Sequence, residues 1–374
     1  MRVAVVAEFY PRRHDPVLGV WAHRQALAAA QAGAEVSVFV LHRVVPPRVD
    51  PRALWTLIRE PRLARLDGLD VRYVRYASPP RSRAYARWGA YAAPALRRAL
   101  RRSGHFDLIH AHYAVPAADA VLRAGADVPL IVSVHGGDVL WTSSRVPGGR
   151  EAVERGLSAA RLVLANSAGT EVLSREHGAR ATRVVHLGTD VPASPGEPAG
   201  EPLIATVSHL VARKRHADVL RSLAELPGVR YLIIGDGPER GPLERLASAL
   251  GVSERVEFAG QLAPAQAAQR VATAWCFVMP STEEAFGVAY IEAMAAGVPA
   301  IGRAGESGPA EIASAGPGLE LVEPEALTEG LRRLTSDRAA RDALGAAARA
   351  TVLREFTWPL CGARTLAAYD EALR

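Results

Sequence analysis

Lysine is almost missing from this chain of 374 residues. Lys214 stands alone, and the other forty-four basic residues are arginine. An ammonium is a compact point charge, whereas guanidinium is a wide planar fork. Any task that needs a lysine must therefore fall to Lys214. Cysteine is also scarce. Cys276 and Cys361 are the only two, which excludes a disulfide framework and a cysteine metal site and points to a reducing cytoplasm. No apolar run approaches the length that spans a bilayer. The opening MRVAVVAEFYPRR meets charge and proline too soon for a secretion signal, so it is expected to be a first strand.

The charge is uneven. Met1 to Asp190 holds 27 arginines and 16 acids, net +11, and the remainder is net −5. The stretch Arg72–Arg102 has nine arginines and no acid, interleaved with Tyr73, Tyr76, Tyr85, Trp88 and Tyr91. Basic and aromatic residues together suit an anionic membrane surface. They also suit an anionic acceptor, contacted by Arg97, Arg98, Arg101 and Arg102, or a merely solubilising face. Nucleic acid is not the expected partner.

Short apolar runs alternate with helical stretches. Strands are expected at 3–7, 35–41, 71–76, 108–111, 130–134, 162–165 and 184–187, then at 203–207, 231–234, 256–259, 277–280, 300–302 and 319–322. Continuous apolar strands followed by helices imply parallel sheets covered on both faces. The proline-rich run 191–202 is read as a linker. It separates a domain at 1–190 from one at 203–353, and a helical segment, 354–374, is expected to cross back to the first. Both domains are expected to be α/β and doubly wound, facing across a cleft that holds the ligand at the strands' carboxyl ends.

The richest stretch runs from Pro280 to Pro299, PSTEEAFGVAYIEAMAAGVP. A strand enters a polar turn, Gly287 opens a helix, and Gly297 with Pro299 ends it. A helix N-terminus suits a diphosphate, and Gly287 lets it approach the backbone closely. Glu284 and Glu292 are expected to face one bound ligand from different sides. Carboxylates accept from sugar hydroxyls, so backbone N–H groups and carboxylates together describe a nucleotide-sugar site. The loop GDGPERG at 235–241 misses the dinucleotide fingerprint by one place.

The 280–299 stretch resembles the E-x7-E motif of the retaining family 4 (GT4, group 1) glycosyltransferases, which have the GT-B fold of two Rossmann-like domains. Asp107–Tyr113 is similar to that family's DxxHxH strand end, Val132–Asp138 to its vHGxD segment, and Val185–Asp190 to its pnGvD exit. Val207–Arg215 resembles GRLxxxKG, with His209 in the place of an arginine and Arg215 in the place of a glycine. The usual double glycine is reduced to Gly19.

The resemblance implies metal-independent transfer of a sugar from a UDP- or GDP-sugar to an acceptor hydroxyl, on a lipid-linked or polysaccharide acceptor. It implies catalytic roles for His135, Lys214 and Glu284. The donor would be held by Gly19, His209, Lys214, Glu284, Phe286, Gly287, Val288 and Glu292, with Glu284 on the transferred sugar and Glu292 on the ribose. His110 and His112 are expected on opposite faces of their strand, with His112, nearer the strand end, facing the acceptor site. No metal site is expected. Competing readings are a nucleotide-sugar epimerase, a pyridoxal-phosphate phosphorylase using Lys214, and a non-catalytic sugar-binding protein. The expected location is cytoplasmic, with peripheral attachment to the inner membrane face.

Overall fold

A computed structural model describes all residues except 14, 45–53, 56, 57 and 60. The chain divides into two compact units, Met1–Leu187 with Trp358–Arg374, and Gly188–Thr357.

In the first unit, eight strands form one sheet among the described residues. They are β1 (Arg2–Ala7), β2 (Glu35–Arg43), β3 (Leu63–Leu66), β4 (Leu69–Tyr76), β5 (Leu108–His112), β6 (Leu130–Val134), β7 (Leu162–Ala165) and β8 (Thr182–Val184), in the order β3-β4-β2-β1-β5-β6-β7-β8. β5, β6 and β7 are buried along their whole length, as unbroken apolar runs require when helices cover both faces. The pairings are parallel except β3 with β4. That hairpin is absent from the expectations above. It turns on Asp67 and Gly68, both at positive φ, and Asp-Gly is the sequence signal for such a two-residue turn. The expected strand at 184–187 lies earlier, at Thr182–Val184.

The arginine-rich stretch does not form a single face. It runs through β4, two short helical turns and the helix Trp88–Arg102. Tyr73, Tyr76, Tyr85 and Trp88 are buried, and only Tyr91 of the five aromatics is exposed. The aromatics therefore build core, not a membrane-facing belt. Arg97 is engaged as well. Its guanidinium donates to the carbonyls of Ala124 and Arg123 at 2.7 and 2.8 Å, satisfying the end of the helix Asp119–Ala124. Arg98, Arg101 and Arg102 are exposed.

The closing helix Trp358–Leu373 groups with the first unit. Gly362 lies so close to the helix Val20–Gln31 that an added Cβ would sit 2.3 Å from the Ala28 carbonyl. Tyr369, fully buried, is hydrogen-bonded to His110 Nδ1 at 2.8 Å, and His110 Nε2 to Ser133 Oγ at 2.7 Å.

The second unit has six strands among the described residues: β9 (Leu203–Val207), β10 (Arg230–Ile234), β11 (Val256–Gly260), β12 (Cys276–Met279), β13 (Ala300–Arg303) and β14 (Leu319–Val322). Their order is β11-β10-β9-β12-β13-β14, and all pairings are parallel. Ile204, Leu220, Ile233, Val278 and Leu331 pack in its core. The proline-rich run is fixed along this unit: Gly196 N–H donates to the Ala296 carbonyl, Ala199 N–H to Thr273, and the Trp275 indole to Ala199. In each sheet the chain starts near the middle, builds outward on one side, and then crosses to the other. The crossing points, between β1 and β5 and between β9 and β12, are where such sheets bind ligands.

Tyr369→Phe leaves His110 short of a buried partner. We expect a loss of about 1–2 kcal/mol, read as a lower urea midpoint at an unchanged slope.

Candidate active site

In the second unit the loops that follow β9 and β12 meet at the crossing point. A 3-10 turn, Ala212–Lys214, carries the lysine. Thr282 N–H donates to the Arg213 carbonyl at 2.8 Å and ties the two loops together. Lys214 Nζ donates to Glu284 Oε2 at 2.5 Å, with Met279 Sδ 3.6 Å away. Ser281 Oγ donates to the same carboxylate oxygen at 2.9 Å, and Arg213 Nη1 lies 4.0 Å from it. Burial alone would raise the Glu284 carboxyl. Lys214, then Arg213 and Ser281, outweigh it and hold the carboxyl below its ordinary value. Glu284 is therefore an anion at neutral pH.

Glu284's backbone is also held. Its N–H donates to Glu306 Oε2 at 3.1 Å. Gly308 leaves no space beneath: an added Cβ would lie 2.6 Å from the Glu284 carbonyl and from the Phe286 nitrogen. Gly287 has φ +100°, and a Cβ there would meet the Tyr290 ring at 2.4 Å. The helix Val288–Ala295 starts directly after it, with its N-terminal dipole end beside Glu284. Phe286 turns its ring into the core against Phe356, centroids 5.8 Å apart, so only its backbone borders this loop. Glu292 keeps solvent access, yet surrounding protein, and then the Asp190 charge, push its carboxyl up to about 7. His209 is exposed, with Nδ1 2.6 Å from the Asp236 carbonyl. A carbonyl only accepts, so Nδ1 carries the proton.

The first unit has its own cluster at the strands' carboxyl ends. His135 follows β6 directly. His110 and His112 do not point to opposite faces: residues two apart on a strand share a face, and their rings lie 4.5 Å apart. His112 Nδ1 is 3.0 Å from His135 Nε2. The two rings are 7° from parallel with centroids 5.2 Å apart, so they lie edge to edge in nearly one plane and share one N–H. Burial pushes His110 and His135 down to about 3 and His112 far down as well, so all three are neutral. Asp138 steadies the loop by accepting from the N–H groups of His135, Val139 and Ala114. Burial raises its carboxyl to about 6 against the pull of those bonds. Gly19 seats the helix Val20–Gln31 on the loop after β1, where a Cβ would lie 2.2 Å from Phe9's backbone, and Trp21 brings its ring to His135 at 6.2 Å.

Motif reading had not singled out Ser281, Glu306, Gly308 or Asp138. Asp138 stood within a quoted motif. Glu306 and Gly308 lie more than twenty residues from Glu284, and nothing local marks them. Among the described residues, no group of three or more His, Cys, Asp or Glu is placed to hold a metal ion.

The chain is thus built of two Rossmann-like α/β units, the second with a paired lysine and glutamate at its crossing point. A family model described as "Glycosyl transferases group 1" matches residues 189–351, and one described as "Glycosyltransferase Family 4" matches residues 18–192. The chain belongs to this glycosyltransferase family. It is 32% identical over 278 residues to a GDP-mannose-dependent monoacylated alpha-(1-6)-phosphatidylinositol monomannoside mannosyltransferase of Corynebacterium glutamicum, covering 66% of this chain and 71% of the relative. It is 28% identical over 393 residues to a D-inositol 3-phosphate glycosyltransferase of Mycobacterium marinum, covering 95% and 81%. Among solved structures, sucrose-phosphate synthase of Thermosynechococcus elongatus superposes with a TM-score of 0.80 at 22% identity, covering 99% and 98% of the two chains. Anabaena HepE, solved with UDP and glucose, superposes with 0.74 at 19%, covering 99% and 100%. The fold is GT-B.

Arg215, in the place of the family's glycine, has φ +58° and leads into the helix His216–Ala224, with Nε bonded to Asp218 at 2.7 Å. A left-handed conformation costs an L-residue roughly 1–2 kcal/mol. Arg215→Gly should therefore be more stable than Arg215→Ala by about 1 kcal/mol in urea unfolding. Equal midpoints would mean that this backbone is not the constraint.

Proposed function

We propose that the chain is a retaining glycosyltransferase. It takes a UDP- or GDP-sugar on the second unit and passes the sugar to an acceptor hydroxyl presented by the first. The observation that carries this reading is the Lys214–Glu284 pair beside the N-terminus of Val288–Ala295. An ammonium and a helix N-terminus together stabilise the charge that develops as a diphosphate departs. The reaction then needs no divalent cation, and turnover should survive a chelator. In this reading Glu284 accepts from the transferred sugar's hydroxyls, Glu292 from the ribose, and His135, hydrogen-bonded to His112, serves the sugar's reacting side. The relatives' names support a polyhydroxylated acceptor.

A phosphorylase using Lys214 as a Schiff base fits less well, because that chemistry needs a neutral amine and here the nitrogen serves a carboxylate. A yellow purified protein absorbing near the pyridoxal band would restore it. An epimerase would release the same sugar count it binds and transfer none to an added acceptor.

Lys214→Ala should lower turnover by about two decades, or roughly 3 kcal/mol of transition-state stabilisation. It also strands Glu284 in a buried site, a cost of about 3 kcal/mol in stability. Lys214→Ala/Glu284→Gln should recover stability but not turnover, which separates the two effects; wild-type turnover in either variant would remove Lys214 from the mechanism. Glu284→Gln should act on kcat, and Glu292→Gln on the Michaelis constant for donor. A carboxyl raised to about 7 ionises only above that value. Donor affinity should therefore rise with pH through that point, and Glu292→Gln should flatten the rise.

Among the described residues no helix is long and apolar enough to cross a membrane. We propose that exposed Arg98, Arg101 and Arg102 give the first unit a salt-sensitive attraction to anionic lipid. Changing these three to glutamine should abolish co-sedimentation with anionic vesicles at low salt, whereas Arg97→Gln should cost stability instead. At physiological salt, where the Debye length is about 8 Å, binding should weaken in the wild type. No difference between anionic and neutral vesicles would leave these arginines as a solubilising face.

A further inference from the structure

In the second unit the chain leaves β9 at Ser208 and enters the helix His216–Ala224 eight positions later. The residues between form the loop that carries Lys214. Ser208 Oγ lies 2.8 Å from His216 Nε2, so one side-chain bond closes the neck of that loop. His216 is buried, at 2% exposure. Behind it the bonding continues into the core. His216 Nδ1 lies 2.9 Å from the Tyr231 hydroxyl on β10, and that hydroxyl lies 2.8 Å from Thr206 Oγ1 on β9. Thr206 Oγ1 in turn donates to the Val278 carbonyl on β12.

One atom fixes the direction of every bond in this chain. A carbonyl only accepts, so Thr206 must give its single hydroxyl proton to Val278. Its oxygen is then the acceptor for Tyr231 O–H. Burial raises the Tyr231 phenol, so it keeps its proton. With that proton given to Thr206, the Tyr231 oxygen accepts from His216, and Nδ1 must carry the imidazole proton. Burial, and then the Lys214 charge, push the His216 ring down to about 4. The ring is therefore neutral, Nε2 is a lone pair, and Ser208 O–H donates to it. The chain ends on a carbonyl, so it holds its members in place and cannot relay a proton.

Other bonds fix the backbone around the neck. Ser208 N–H donates to the Ile234 carbonyl and Leu210 N–H to that of Asp236, each at 3.0 Å. A Cβ added at Gly235 would sit 1.9 Å from the Ser208 carbonyl. The Ser208–His216 bond joins the two ends of the loop to each other. Lys214 stands two residues before His216, so a shift of the ring moves the backbone that carries the ammonium. A charge-assisted contact keeps its worth only when its donor is held within roughly 0.5 Å.

We propose that His216 is a positioning residue: anchored on Tyr231 and bonded to Ser208, its imidazole latches the neck of the Lys214 loop and sets where Lys214 meets Glu284. The consequence for a bound diphosphate rests on the glycosyltransferase reading, whereas the latch itself does not.

The solitary lysine makes the latch measurable. In the full chain labelled with carbon-13 lysine, one Cε–Hε correlation reports Lys214 alone. Ser208→Ala and His216→Ala should each move that signal toward its position in Glu284→Gln, where the partner charge is gone. His216→Gln reaches Ser208 with its amide and should restore part of the shift. Calorimetric titration with UDP and UMP, and with GDP and GMP, reads the second phosphate. The diphosphate-to-monophosphate affinity ratio should fall at least about fivefold in Ser208→Ala, part of the worth of one charge-assisted contact, with monophosphate affinity unchanged. Nitrogen-15 histidine spectra should show His216 neutral with its proton on Nδ1. In Tyr231→Phe the proton should move to Nε2, since a buried Nδ1–H would have no partner. A purely structural contact would lower the urea midpoint and leave the lysine signal and the affinity ratio as in the wild type; that result overturns the proposal, as does a proton on Nε2 in the wild type. If the His216 variants do not fold, Ser208→Ala decides alone, because it removes only one hydroxyl from a half-buried residue. Failure of UDP and GDP to bind the wild type would overturn the donor reading, and the lysine signal would still decide the latch.

Discussion

A buried ammonium and a buried carboxylate must be paired or one of them must give up its charge. In the second unit that constraint organises the whole crossing point. Removing Lys214 and Glu284 from water costs several kcal/mol per ion, and their mutual attraction repays it only with good geometry and further hydrogen bonds. The surroundings supply these. Ser281 adds a second donor to the same oxygen, Arg213 adds charge from 4.0 Å, and Glu306 holds the Glu284 backbone. Gly308 allows the loop to lie flush on the next helix. The pair is thus preorganised where the Val288–Ala295 helix begins.

The first unit solves a different problem. His110, His112 and His135 sit among aromatic rings and strands, where burial keeps these three neutral. A neutral imidazole can act through hydrogen bonds only if its tautomer is set. The edge-to-edge contact of His112 with His135 couples their tautomers, one ring donating and the other accepting, and Asp138 fixes the loop that carries His135. Nearby, Arg81 and Arg145 stack their guanidiniums on Tyr85 and Trp141.

Much of this was legible in one dimension. Thirteen expected strands fall on or beside observed ones, because parallel strands buried on both faces must be continuously apolar. The E-x7-E spacing drew attention to Glu284, Gly287 and Glu292, and the solitary lysine to the loop after β9. The Asp67–Gly68 hairpin was legible too and went unread. The arginine-rich stretch misled, since counting residue types along a chain cannot tell an exposed tyrosine from a core one. Tyr73, Tyr76, Tyr85 and Trp88 are inside, and Arg97 caps a helix.

By itself, then, the sequence determined the two α/β units, their strands and the loops that follow them, because periodicity, turn residues and motif spacing are local properties. Tertiary structure decided the rest. It brought Lys214 to Glu284 across seventy positions, Gly308 beneath Glu284, and Tyr369 onto His110. Those pairings depend on strand order and on which side of each sheet the chain crosses. Such choices are made by the packing of whole layers and leave no mark on any single stretch of residues.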